Sequence, residues 1–106
     1  MVTFDQFKAM EIRIAKVVAC EDHPNADKLY IVTVETGVDT RKVVAGIKEH
    51  YTKEELIGKQ VVVIMNLETA TIRGSESQGM ILATKDEGKL AILVPEKEVT
   101  VGSKVS

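Results

Sequence analysis

Residues 52–58 read Thr52-Lys53-Glu54-Glu55-Leu56-Ile57-Gly58, and this short stretch decides the fold. Thr52 with Glu55 three positions later has the form of a capping box, in which each side chain satisfies the other's backbone N–H. Leu56 and Ile57 supply an apolar face, and Gly58 supplies the stop. What precedes this helix is strand-like. Glu11 to Cys20 begins as an alternating strand with Ile12 and Ile14 on one face, and the alternation slips near Lys16 and Val17, which predicts a bulge or a sharp bend. His23-Pro24-Asn25-Ala26-Asp27 is a turn cluster. Lys28 to Glu35 is a second strand rich in β-branched residues, and Thr36-Gly37-Val38-Asp39 turns it into a third from Lys42 to Ile47.

Beyond the helix, Val61 to Met65 is apolar throughout, as in a strand covered on both faces. Met80 to Ala83 and Leu90 to Val94 are short strands, Pro95 ends regular pairing, and Val99 to Val105 adds a final extended segment. At the front, Thr3 caps a short helix with Phe4 and Phe7 at i and i+3. Three strands, a short helix and two more strands is the order of an OB-fold. SH3-like barrels also use five short strands, but the helix between strands three and four favours the OB order. The expectation is an all-β protein in which residues 1–106 form a single domain. Its core is a five-stranded OB-fold Greek-key barrel with a short helix between strands 3 and 4, a short N-terminal helix and a C-terminal extension.

Length and composition agree with one such unit. At 106 residues the chain has the size of a single domain. It can bury about two-thirds of its unfolded surface, and 44% apolar residues furnish the core. A lone cysteine, Cys20, excludes an intrachain disulfide. The N-terminal region carries Asp5, Lys8, Glu11 and Arg13 where a signal segment would be apolar. The longest apolar run, Val61 to Met65, falls far short of the ~20 residues that span a bilayer. These features give the expectation of a cytoplasmic protein with no membrane partner. The net charge of −2 is unusual for a nucleic-acid binder, so any RNA site must arise from uneven distribution. The candidates for a positive face are Lys28, Arg41, Lys42, Lys48, Lys59 and Arg73, while acids gather in predicted turns and ends.

Chemistry concentrates in Asn66 to Met80, NLETATIRGSESQGM, which reads as a tight polar loop between two apolar strands. Glycine admits close backbone or ligand approach, and Arg73 offers a planar cation suited to phosphate. The alternative for Arg73 is a solvated arginine paired with Glu76 or Asp86. Ser77 suits a ribose hydroxyl, a phosphate or a base edge, or else stabilises its own loop. Asn66 ends an apolar strand, so its amide needs a partner, either RNA or nearby loop backbone. Met80 fits the core or the RNA face. In the earlier turn, Pro24, Asn25 and Asp27 make a rigid connection, from which Lys28 leads towards the mouth of the barrel and a phosphate contact.

Other functions find little support. Asp22, His23 and Asp27 lack a second ligand cluster, so no metal site is expected. Ser75-Glu76-Ser77-Gln78-Gly79 misses the nucleophile elbow because Ser75 replaces its first glycine. No phosphate loop or dinucleotide fingerprint is present, so neither catalysis nor a cofactor is expected. With no Trp, and with Phe4 and Phe7 assigned to the leading helix, only Tyr30 and Tyr51 remain for stacking. Scarce aromatics argue against an unstructured single-strand binder and favour a folded RNA read by backbone and shape.

The chain resembles the tRNA-binding domain of the methionyl-tRNA synthetase C-terminal or β-subunit type, also found as a free-standing tRNA-binding protein. Ile72, Arg73, Gly74, Ser77, Gly79 and Met80 match its loop signature, and His23-Pro24-Asn25-Ala26-Asp27-Lys28-Leu29 matches its turn. Phe4-Asp5-x-Phe7, Glu11 to Ile14, Val44-Ala45-Gly46 and the tail after Pro95 extend the likeness along the chain. The resemblance implies a non-catalytic module that binds tRNA through Lys28, Asn66, Arg73, Ser77 and Met80. It also implies a homodimer built on the leading helix and the tail, and a methionyl-tRNA synthetase catalytic subunit as partner. An export-related chaperone of the same superfamily and a synthetase-scaffolding adaptor are the alternative readings. Glu68 and Thr71 stand where the family often has cations, which implies modest affinity.

Overall fold

In the computed structural model, which describes all 106 residues, the Thr52 capping box forms as read. The Thr52 hydroxyl accepts from Glu55 N–H, and the Glu55 carboxylate accepts from Thr52 N–H. Helix α2 (Lys53–Leu56) is a single turn that buries only Leu56. Full burial of that side chain contributes roughly 2 kcal/mol. Gly58 follows with φ of +93°, the left-handed conformation that releases the chain into the next strand. The same cap recurs at Thr3 and Gln6, opening α1 (Phe4–Ala9).

Strands β1 (Ile12–Asp22), β2 (Tyr30–Glu35), β3 (Thr40–Ala45), β4 (Gln60–Ile64) and β7 (Met80–Ile81) form one sheet in the order β3-β2-β1-β4-β7. All its pairings are antiparallel. The long β1 serves two neighbours. Its first half pairs with β4 and its second with β2, with the register shifting between Val17 and Ala19. That bulge lies where the sequence alternation slips, and it bends the strand around the core. Val17, Val32, Val34, Val43, Val61 and Val63 fill the interior with Leu56. Tyr30 and Tyr51 are also absorbed by the structure. The Tyr30 hydroxyl donates to the Tyr51 carbonyl at 2.8 Å, and the Tyr51 hydroxyl accepts from Ile92 N–H at 3.1 Å.

No strand ladder joins β3 to β7. Segment 77–79 spans that gap instead, with Gln78 N–H donating to the Lys42 carbonyl at 2.9 Å. The result is an OB-like barrel with all five core strands in the expected order. The tail is held too. Arg13 and Lys104 form a β-bridge, Ile14 N–H donates to the Ser103 carbonyl, and Gly102 N–H donates to the Ile14 carbonyl. The expected extended segment therefore lies along the first half of β1, on the side that β2 leaves open.

Two expectations need correction. The Asn66–Met80 segment is not simply a loop, because it contains a hairpin of β5 (Ala70–Ile72) and β6 (Ser75–Ser77). The strand expected at 80–83 is divided between β7 and β8 (Ala83–Asp86), and β8 pairs with β9 (Lys89–Ile92) in a separate ribbon. Phe4 lies on the leading helix as expected, facing outward. It is 72% exposed on a helix with no buried residue, with the Lys8 ammonium 5.4 Å from its ring centre.

Candidate nucleic-acid interface

The β5–β6 hairpin turns on two residues, Arg73 and Gly74, with φ of +54° and +91°. Two successive left-handed residues are what a tight two-residue hairpin needs, and Asn-Gly or Asp-Gly is the usual choice. An arginine at the first position carries a conformational cost of about 1–2 kcal/mol. The turn places its side chain at the exposed tip of a ribbon. No carboxylate pairs with it, so the alternative of an ion pair to Glu76 or Asp86 fails.

The turn cluster at 23–29 lies against this tip. His23 is only 5% exposed. Its Nδ1 accepts from Asn25 N–H at 3.0 Å, and its Nε2 meets the Ile72 carbonyl at 2.9 Å. Asn25 donates its side-chain amide to the Arg73 carbonyl at 3.4 Å, and the Arg73 guanidinium donates to the Asn25 carbonyl at 3.3 Å. Two motifs some fifty residues apart thus form one surface, with exposed Lys28 in the same turn.

Of the six candidate cations, two are committed elsewhere. Arg41 pairs with Asp39 at 3.1 Å and donates to the Met65 carbonyl at 2.6 Å. Lys48 and Lys53 both reach Asp22 at 3.2 Å. Those two contacts hold the Asp22 carboxyl below its usual range, and the Lys53 ammonium is correspondingly raised. Lys28, Lys42, Lys59 and Arg73 have no carboxylate partner. Lys42 neighbours the loop through its backbone, whose N–H donates to the Gln78 side chain at 3.2 Å.

The polar loop residues are mostly spent on architecture. Ser77, expected as an RNA contact, is 4% exposed, with its hydroxyl accepting from Val44 N–H at 2.9 Å and donating to the Gly79 carbonyl at 3.0 Å. The physical reason is the open edge of β3, whose N–H groups need acceptors. Asn66 is likewise engaged at both ends of its amide. Its oxygen accepts from Glu11 N–H and its nitrogen donates to the Ala9 carbonyl, each at 2.8 Å, fastening α1 to β1. Gly79, at φ of +135°, leaves no room for a side chain, since a Cβ would stand 2.7 Å from the Ile64 carbonyl oxygen. Met80 is 44% exposed on β7. Of the five expected contacts, Lys28, Arg73 and Met80 are therefore available to a ligand. The bridging role of His23 went unread, because nothing in a local turn motif announces a bond to a carbonyl 49 positions away.

Comparison with known proteins gives a consistent answer. The family model for a tRNA binding domain matches residues 12–104. Methionine–tRNA ligase of Pyrococcus furiosus is 51% identical over 104 residues, which is 98% of this chain and 14% of that protein. The corresponding enzyme of Thermotoga maritima is 47% identical over 105 residues, 99% of this chain and 17% of its own length. The chain thus spans only a small fraction of these relatives. Among solved structures, a methionyl-tRNA-synthetase-related protein from Pyrococcus horikoshii superposes with a TM-score of 0.92 at 31% identity, covering 100% of this chain and 98% of the other. The chaperone CsaA from Bacillus anthracis superposes with a TM-score of 0.90 at 27% identity, covering 100% and 99%.

Proposed function

The chain belongs to the tRNA-binding domain family, and from that membership we propose a non-catalytic module that holds folded tRNA by its backbone and shape. It assists an aminoacyl-tRNA synthetase, methionyl by kinship, either fused to it or associated in trans. Retention of tRNA near the active site raises its effective concentration there. The observation that carries this reading is Arg73, an unpaired arginine held in a left-handed turn that other residues occupy more readily. Strain of this kind marks functional positions, and a guanidinium with no carboxylate partner, bonded only to the Asn25 carbonyl, keeps N–H groups for a phosphate contact. Lys28 and Met80 complete the contact surface. Ser77 and Asn66 shape it without touching RNA. The homodimer belongs to the same proposal. Exposed Val2 and Phe4 at and before α1 would bury against a second copy. We assign the protein to the cytoplasm, where tRNA is charged; no helix is long and apolar enough to cross a membrane.

The structural likeness to a chaperone supports one second reading, capture of unfolded polypeptide. Titration of unfractionated tRNA and of an unfolded polypeptide at two salt concentrations separates the two. The tRNA reading expects tRNA binding with a negative salt slope. Arg73→Ala should weaken it about tenfold, the range of one exposed charge-assisted contact, and flatten the slope by about one phosphate. Unchanged binding by Arg73→Ala would remove the central contact.

A further inference from the structure

We propose that His23 is the positioning residue of the tRNA site, fixing where Arg73 stands relative to Lys28. The inference rests on the tRNA-binding reading above and adds a residue that contacts no RNA. The partners of the ring define its hydrogen-bonding state. Asn25 N–H can only donate, so Nδ1 must accept; the Ile72 carbonyl can only accept, so Nε2 must carry the proton. The ring is therefore a two-ended clamp. One end closes the turn that leads to Lys28, and the other grips the residue just before Arg73.

The clamp matters because the hairpin is otherwise poorly tethered at this end. Strands β5 and β6 pair only with each other. Ser77 fastens the outgoing strand to β3, but the incoming strand at Ile72 is fastened by His23. The remaining links between turn and tip are the two Asn25–Arg73 contacts, both exposed and at 3.3–3.4 Å. At 5% exposure His23 is the buried link and, at 2.9 Å, the shortest. Loss of that grip leaves the barrel intact and lets the arginine wander.

Two substitutions divide the ring's functions. A glutamine amide nitrogen can stand near the position of Nε2 and keep the bond to Ile72, whereas an asparagine oxygen can stand near that of Nδ1 and keep only the turn. Measured by tRNA titration at moderate salt, His23→Gln should remain within about twofold of the parent. His23→Asn should lose roughly fivefold to tenfold, the worth of one net hydrogen bond. In an Arg73→Ala background, His23→Asn should cause no further loss, because its effect passes through Arg73. Equal affinity of His23→Asn and the parent, or losses that add to those of Arg73→Ala, would overturn the assignment. Failure of the parent to bind tRNA would overturn the proposed function instead, and this inference with it. Ring nitrogen-15 shifts give a readout independent of any variant: an unprotonated Nδ1 and a protonated Nε2 support the clamp, and the opposite tautomer refutes it.

Discussion

Replacement of Ser77 by alanine separates a barrel-closing role from an RNA contact. In the folded chain the hydroxyl is the acceptor for Val44 N–H, on a residue only 9% exposed, and the donor to the Gly79 carbonyl. Ser77→Ala removes both bonds and strands a buried donor at the open edge of β3. A lost net hydrogen bond is worth about 1 kcal/mol, and an unsatisfied buried donor adds about 1–3 kcal/mol. The expected loss is therefore roughly 2–4 kcal/mol. In a domain of this size that lowers Tm by roughly 10–25 °C. Urea unfolding should show an earlier midpoint with an unchanged slope, since the exposed area hardly differs. The tRNA affinity of the protein that remains folded should stay within about twofold of the parent. An unfolding midpoint within about 0.5 kcal/mol of the parent, together with a tenfold loss of tRNA affinity, would show that Ser77 faces RNA and that the barrel closes by other means.

Other expectations follow from the same geometry. Gly79→Ala places a Cβ 2.7 Å from the Ile64 carbonyl oxygen in a backbone conformation that L-residues avoid, so it should destabilise by more than about 2 kcal/mol, read by the same unfolding experiment. Asp39 is held below the ordinary carboxylate range, first by the Thr36 hydroxyl and then by Arg41. A depressed folded value contributes stability above the unfolded pKa near ~3.9, and that contribution disappears as pH falls through the lower folded value. The Tm of Asp39→Asn should therefore fall less steeply than the parent's below about pH 4. Burial pushes the Cys20 thiol up to about 11, against the opposing pull of Lys53. At pH 8 its alkylation in the folded protein should run roughly a hundredfold slower than that of a free thiol, and denaturant should abolish the difference.

Much of the barrel was legible because its signals are local. Thr52 and Glu55 announce a helix start within four residues, and the slip near Val17 announces a bend within one strand. The hairpin at 70–77 was not legible. Its turn uses Arg-Gly where a reader looks for Asn-Gly, and its strands are three residues each. The candidate site divided along the same line. Arg73 could be chosen as a candidate by residue chemistry, since the lone arginine of a Gly- and Ser-containing stretch has few buried uses. Ser77 could not be placed that way, because a serine between Glu76 and Gln78 looks equally suited to solvent or to a strand edge. Only the N–H of Val44, thirty-three positions earlier and bonded to the Ser77 hydroxyl, decides between them.

That division also resolves the charge of the chain. A net charge of −2 is a poor footing for binding a polyanion, but net charge sums over groups that do not act on the ligand. Arg13, Arg41, Lys48 and Lys53 are held by Glu11, Asp39 and Asp22. Those acids lie outside the 70–77 hairpin that presents Arg73. At physiological ionic strength charges more than ~8 Å apart in solvent are largely screened, so a phosphate at the hairpin tip senses its neighbours far more than the total. Glu76 belongs to the same hairpin, opposite Thr71, and Glu68 stands shortly before it. Their opposition tempers Arg73 and Lys28 without cancelling them. On the proposed reading, the expected outcome is a contact of modest strength that weakens as salt rises.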